Sequence, residues 1–395
     1  MTKKIAIIIE RANIVLGGAE RSVFEVENAI SALGLDVDIL AAKGETNAKN
    51  IHFLCNDHPG RRTCHFTFAK ALKKYLSENR YDIVHSVLPF DFADVYQPRG
   101  GSYAETVLRN AASYQNRFVE SYKRTTAFAN LRRMMLLRAE RNLCENPDGP
   151  VIAALSEYVA QQFKRHYNLN DKRIVIIPNG INVNKHIDTS EADNLRTQIL
   201  VQLGLKEADK PLLFLFVANN FRLKGLACLI KAMQSASTRN TERKAYLVIA
   251  GSSKSRRYRH LAKKLNVDKK IVFLGSVRHI QNALSIIDVA ILPTFYDPSS
   301  RFILEALAAE KPVITTKYNG ASDLFVNNRH GRVIEKPDNI QELAEAISYF
   351  TDTENIQKAS QAIAADNLKE NISISRVAEQ LVSLYESILE KRRPE

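Results

Sequence analysis

The sequence predicts an α/β protein built from two doubly wound, Rossmann-like domains. Three observations predict it. The chain has 395 residues, too many for one ordinary core and suited to two domains. Short apolar, β-branched runs have the pattern of parallel strands buried on both faces. These runs alternate with helical-period segments in two successive series. Hydrophobic residues make up 45% and charged residues 25%, the mixture of a folded globular protein, which excludes disordered and fibrous classes.

The first series opens with a strand at 5–9 and a loop carrying Gly17 and Gly18. Val23, Val26, Ile30 and Leu33 then recur at helical spacing until Gly34 stops the helix, and a strand follows at 37–41. This is a βαβ unit, right-handed by the general rule. A helix near 68–79, strands at 83–87 and 151–155, a helix at 157–166 and a strand at 174–177 continue the pattern. Residues 186–209 are polar and mostly charged and read as a linker. The second series has strands at 212–217, 246–250, 271–274, 289–292 and 313–315, with helices at 225–235, 256–266, 280–287 and 302–309 between them. The tail from 338 to 391 reads as three helices, the last crossing back to the first domain. The domain boundaries follow: 1–185 joined by about 372–395, and 186–371.

The formal net charge is +13, so the surface attracts phosphate-rich partners: nucleic acid, anionic lipid or a phosphorylated small molecule. Cys55, Cys64, Cys144 and Cys228 lack the close paired spacing of a zinc site or redox dithiol and read as reduced thiols. Residues 1–4 have the basic character of a leader, but the apolar run after them stops at Glu10. No stretch reaches the roughly 18–20 apolar residues needed to span a bilayer. The expected location is the cytoplasm, with peripheral contact at the inner face of the plasma membrane as the most that membrane association would involve.

Ligands of open parallel sheets bind beyond the carboxyl ends of the strands, so the segments after each strand are the places to inspect. Gly17-Gly18-Ala19-Glu20-Arg21 enters the first helix, where glycines and free N–H groups suit a diphosphate; a plain tight turn is the competing reading. The run lacks the G-x-G-x-x-G spacing of a dinucleotide site. Arg222 and Lys224, beside Gly225, place two cations at another helix start, where they can neutralise a leaving diphosphate. Asp297 and Glu305 flank the start of a third helix, and their carboxylates can accept hydrogen bonds from vicinal hydroxyls of ribose or a hexose. Residues 103–141 carry Arg109, Arg117, Lys123, Arg124, Arg132 and Arg133 with Phe118, Phe128 and Leu131. They read as a basic helix with an apolar side, either a membrane-surface element or a solvated face.

The segment from Asp297 to Thr316 resembles the E-x7-E region of the retaining, two-domain family 4 glycosyltransferases. Its Leu304-Glu305-Ala306-Leu307-Ala308 run is similar to the branch related to lipopolysaccharide core glucosyltransferases. Gly17-Gly18-Ala19-Glu20-Arg21, Pro178-Asn179-Gly180, Lys224-Gly225, Phe273-Leu274-Gly275 and Asn319-Gly320-Ala321 extend the resemblance over nearly the whole chain. The resemblance implies the GT-B architecture, two domains facing across a cleft, and metal-independent transfer of a hexose from a nucleotide diphosphate sugar, UDP-linked, to a glycan or glycolipid such as a lipopolysaccharide core. No cofactor or metal is implied. Glu305 would bind ribose hydroxyls, and Asp297, where the family usually has Glu, the transferred sugar. Lys224 matches the family lysine on the diphosphate; Arg222 is one position off the usual arginine. Backbone at Ser299 and Ser300 would replace a Gly-containing turn around the sugar, and Gly17 and Gly18 would approach the phosphates. Arg173, before the Pro-Asn-Gly turn, would face the cleft. His85, at a strand end, is the acceptor-side candidate, with a packed core histidine as the alternative and Asp94 and Glu105 behind it. Retaining members let the donor phosphate take the acceptor proton, so no strong protein base is implied.

Three other classes compete. A metal-dependent transferase would need an Asp-x-Asp pair, and Asp36-Val37-Asp38 reads instead as strand alternation. The basic and aromatic residues form no nucleic-acid-binding motif, so no nucleic-acid partner is expected. A sugar-nucleotide epimerase would share the fold and differ in its products.

Overall fold

In the computed structural model, residues 2–13, 18–45, 48–55, 62–237, 243–252 and 254–392 are described. They form two compact units. One comprises Met1–Leu108, Ser121–Asn182 and Ser373–Glu395; the other comprises Arg109–Glu120 and Val183–Ile372.

The first unit runs β1 (Lys4–Ala12), α1 (Gly18–Ala32), β2 (Asp36–Gly44), β3 (Ile51–Phe53), α2 (His65–Glu78), β4 (Ile83–Ser86) and β5 (Val95–Tyr96). Then come α3 (Tyr103–Ala112) and α4 (Arg117–Thr126), of which residues 109–120 are counted with the second unit, and then α5 (Leu131–Glu145), β6 (Val151–Ala154), α6 (Glu157–Tyr167) and β7 (Ile174–Ile176). The strands form one parallel sheet in the order β3-β2-β1-β4-β5-β6-β7. Ile5 to Ile9 are all buried because helices cover both faces of β1, which explains its unbroken apolar run.

The segment read as one basic helix is broken into α3, α4 and α5, and the breaks have local causes. Gln115 adopts a left-handed conformation, φ 59°, just beyond the C-terminus of α3. Asn116 then accepts from the amides of Phe118 and Val119 at the start of α4. Asn130 caps α5 by accepting from Arg133 N.

The second unit continues with α7 (Thr189–Leu203), β8 (Leu212–Val217), α8 (Leu226–Ser237), β9 (Ala245–Ala250), α9 (Arg256–Lys264), β10 (Ile271–Gly275), α10 (Ile280–Ser285) and β11 (Val289–Leu292). It ends with α11 (Arg301–Ala308), β12 (Val313–Thr316), β13 (Gly331–Ile334), α12 (Ile340–Tyr349), α13 (Thr353–Ala365) and α14 (Leu368–Asn371). Its parallel sheet has the order β10-β9-β8-β11-β12-β13. The stretch read as a linker holds α7. Asp188 caps it, Gly204 ends it at φ 67°, and Ala192, Ile199 and Leu200 are buried beneath its polar face.

The last helix, α15 (Ile374–Lys391), belongs to the first unit, where Val377, Ala378, Leu381, Leu384 and Tyr385 join the core formed by β1, β2 and α1. Ile181 pairs with Ser373 where the chain leaves and re-enters this unit. A Cβ at Gly180 would lie 2.8 Å from Ile374 Cα, so only glycine admits the start of α15 at that point. Residues 109–120, assigned from sequence to the first domain, cluster instead with the second. Arg109 stacks on Tyr318 at 3.8 Å, and Gln115 donates to Cys228 Sγ at 2.8 Å.

Candidate active site

The order of the second sheet reverses between β8 and β11, the kind of switch point at which doubly wound sheets bind ligands. Lys224 follows β8 and Asp297 follows β11. Lys224 Nζ donates to Asp297 Oδ2 at 2.7 Å and to the Tyr296 carbonyl at 2.8 Å. The two side chains are 19% and 15% exposed, so the pair is largely withdrawn from solvent.

Backbone geometry sets this pair. Gly225 has φ +79°, and a Cβ there would lie 1.9 Å from the Pro293 carbonyl oxygen. The turn before α8 therefore closes directly on the exit of β11, which brings Lys224 to Asp297. Asp297 is tied to the loop after β12: its N–H donates to Tyr318 O at 2.9 Å and its carbonyl accepts from Gly320 N at 2.9 Å. Asn319 stitches that loop to the start of α11. Its Oδ1 accepts from Ser300 N at 3.2 Å and Ala321 N at 3.2 Å, and its Nδ2 donates to Thr315 Oγ1 at 2.9 Å.

Ser299 and Ser300 are buried just ahead of α11. Ser299 N donates to Asp297 Oδ1 at 3.3 Å, so the backbone at both serines is held by side chains of the site. Ser300 makes no side-chain cap, and the first turn of α11 has no acidic residue, which leaves its positive end to favour an anion. Glu305 lies in the second turn, 10% exposed, with Lys185 Nζ 3.7 Å from its carboxylate. One end of one sheet thus carries a lysine, a helix N-terminus and two carboxylates. Such a set can receive an anionic leaving group and accept hydrogen bonds from hydroxyls.

Other candidates fall elsewhere. Arg222 is turned onto residues 109–120: it donates to Asn110 O and Asn110 Oδ1, both at 2.9 Å, and to Ser113 Oγ, and its guanidinium lies 3.9 Å from the centre of the Tyr114 ring. It is not joined to the Lys224–Asp297 pair. Gly18 is the exposed first residue of α1, and Gly17 lies outside the described residues.

Two assignments are corrected. His85 is 1% exposed, its Nδ1 is 2.6 Å from Tyr385 Oη of α15, and burial pulls its pKa down to about 3. It is a neutral core histidine, closed off by a helix from the end of the chain. Arg173 donates to the carbonyls of Leu143, Cys144, Asn146 and Pro150, so it caps the end of α5 instead of facing a donor. Glu105 is held by Arg165 at 2.6 Å and His166 at 2.8 Å, and Asp94 by Arg392 and Val84 N. Asp38, of the Asp-x-Asp triplet, accepts from Tyr81 Oη at 2.7 Å and pairs with Lys4 at 3.1 Å.

Asn319 and Lys185 carry structural weight at the site that sequence reasoning did not assign. An Asn-Gly pair directly after a strand was the available signal for the first; none pointed to Lys185.

The fold and the sequence together define a glycosyltransferase of the GT-B class. Residues 16–185 match the profile of Glycosyltransferase Family 4, and residues 203–369 match that of Glycosyl transferases group 1. The chain belongs to the family 4 glycosyltransferases. It is 24% identical over 334 residues to the lipopolysaccharide glucosyltransferase WaaG of Escherichia coli K12, covering 84% of this chain and 85% of WaaG. The crystal structure of WaaG, a glycosyltransferase involved in lipopolysaccharide biosynthesis, superposes with a TM-score of 0.75 at 20% identity, covering 96% of this chain and 99% of that one. Anabaena Alr3699/HepE in complex with UDP-glucose superposes with a TM-score of 0.71 at 16% identity, covering 97% and 99%. Among the described residues, no helix is long and apolar enough to cross a membrane.

Proposed function

We propose that this enzyme is a retaining hexosyltransferase that moves glucose from UDP-glucose to a hydroxyl of a glycan or glycolipid of the lipopolysaccharide-core type, without a metal. The observation that carries the reading is the Lys224–Asp297 pair at the switch point, with Glu305 on the adjoining helix. Lys224 and the start of α11 take up the charge that grows on the diphosphate as the bond from the anomeric carbon to phosphate oxygen breaks. Asp297 contacts the sugar and Glu305 the ribose. The acceptor oxygen bonds to the anomeric carbon on the face the phosphate leaves, and its proton passes to a phosphate oxygen. The charge a metal would supply comes from these groups. The names of WaaG and of the HepE complex support the donor and the acceptor class.

The acceptor reading extends to peripheral docking on an anionic membrane at the cytoplasmic face. In the first unit Leu131 and Phe66 are 80% and 67% exposed, and Lys123 and Arg124 of α4 are exposed as well. Within the first unit, Val107, Leu108, Met134 and Leu137 line a cavity of about 510 Å3 that also holds Arg124, Arg138 and Arg141. Apolar surface beside arginines suits a lipid with a charged headgroup.

A thermal-shift screen of sugar nucleotides tests the donor, since a ligand bound only by the folded state raises its stability. UDP-glucose should give the largest shift, and a core oligosaccharide should convert it to an α-linked product detectable by the anomeric proton. A larger shift from another sugar nucleotide, or release of an epimerised sugar with no acceptor present, refutes the assignment.

A further inference from the structure

Beyond the carboxyl ends of β8 and β9, the second unit has a separate cavity of about 730 Å3, lined by residues that follow those two strands. That size lies within the range of small-molecule sites, roughly 300–1,000 Å3. Arg222, Lys254, Arg256, Arg257 and His260 line it with Asn220, Phe221 and Tyr258, and none of these residues is acidic. Lys224, Asp297 and Glu305 do not line it. Around α9, the stretch from Lys254 to Val267 includes Arg256, Arg257, Arg259, Lys263 and Lys264 without one Asp or Glu.

Most of these cations are exposed, but two arginines of the lining, the half-buried Arg222 and the exposed Arg257, make directed contacts. Arg222 is fixed by Asn110 and Ser113 and lies on the Tyr114 ring. Arg257 lies over the Tyr258 ring, 4.5 Å from its centre, and donates to the Tyr258 hydroxyl. Tyr258 is itself buried and set edge-on to Phe221 at 5.5 Å, so the platform is part of the core. Burial lowers the pKa of Arg222, and repulsion from Arg257 lowers it further: the two guanidiniums act on each other as like charges. Asn110, Ser113 and the Tyr258 hydroxyl, which accept their hydrogen bonds, are all neutral. The helix adds to the field, since Ser255 makes no side-chain cap at the start of α9 and the first turn has no acidic residue. Guanidiniums that repel one another at the lining of one cavity, beside a helix N-terminus, are relieved by an anion that bridges them.

We propose that this cavity is a second anion site, distinct from the donor site, that takes a ligand bearing two or more phosphate groups. Paired phosphates are offered both by a phosphorylated saccharide and by inorganic pyrophosphate. The saccharide source fits an enzyme whose acceptors are glycans, and that half of the inference rests on the proposed function; the anion site does not.

The test uses the full-length protein with the donor site filled by saturating UDP, and isothermal titration with glucose 1,6-bisphosphate and with pyrophosphate. Glucose 1,6-bisphosphate should bind in the presence of UDP, and Arg257→Ala and Lys254→Ala should each weaken it about tenfold while leaving UDP affinity unchanged. Lys224→Ala should weaken UDP and leave the bisphosphate unaffected when UDP is omitted. Raising the salt from 50 to 500 mM should weaken the bisphosphate further. No binding of either probe, or binding that UDP displaces or that Lys224→Ala abolishes, overturns the second site. Pyrophosphate binding without bisphosphate binding overturns the saccharide source. A UDP affinity that falls in Arg257→Ala as much as bisphosphate affinity does would assign the cavity to the donor.

Discussion

Lys224→Ala gives the sharpest test of the active site. The ammonium has three protons; Asp297 and the Tyr296 carbonyl take two of them, at 2.7 and 2.8 Å, and the third remains for a phosphate oxygen. A hydrogen bond to a charged group contributes about 1.5–3 kcal/mol, so its loss weakens UDP binding about 10- to 150-fold. The upper part of that range is expected, because Asp297 stays behind as an uncompensated negative charge facing the diphosphate. Stability falls as well, by roughly 1–3 kcal/mol, since a largely buried carboxylate loses its cation. Titration calorimetry with UDP and with uridine separates these effects. UDP binding should drop, uridine binding should hold, and Glu305→Ala should weaken both through the ribose. A UDP affinity within twofold of wild type in a folded Lys224→Ala protein would make the pair a structural strut and move the diphosphate elsewhere.

Two further predictions concern buried groups of the first unit. Glu140 is fully buried and accepts from Tyr96, Tyr167, Ser102 and Tyr103 N; burial nevertheless raises its pKa to about 7. Its folded pKa stands above the unfolded value, so its contribution is complete below the ordinary carboxylate range and is lost as the pH rises through 7, by at most about 3 kcal/mol. Urea midpoints at pH 5 and pH 8 should therefore fall more for wild type than for Glu140→Gln, and equal falls would refute the raised pKa. Tyr385→Phe removes the partner of His85 Nδ1 and should cost about 1–3 kcal/mol of stability while leaving kcat unchanged. A tenfold loss of kcat at unchanged stability would return His85 to the chemistry.

What the sequence made legible, and what it hid, divides along one physical line. β1 could be read because burial on both faces leaves an unbroken apolar run, and the placement of Lys224, Asp297 and Glu305 at one end of the second sheet could be read because residues just after parallel strands gather there whatever the details of packing. Misreadings arose where a distant segment decides what a side chain meets. Nothing near His85 in sequence reveals that Tyr385, 300 positions on, closes over it. Nothing near Arg222 reveals Asn110 and Ser113, 112 and 109 positions back. Arg173 likewise went to a helix end about thirty residues earlier, although a cation before a conspicuous Pro-Asn-Gly turn suggested a ligand. The stretch 186–209 looked like a linker because α7 buries few residues, and few buried positions leave a weak apolar period. Strand position therefore identified the pair at Lys224 and Asp297, while a cation's sequence position alone was not enough to make it a donor ligand. Arg222 shows why the distinction matters: one residue off the usual place, its guanidinium turns onto Asn110 and Ser113 and lines a different cavity with Arg257, apart from the Lys224–Asp297 pair.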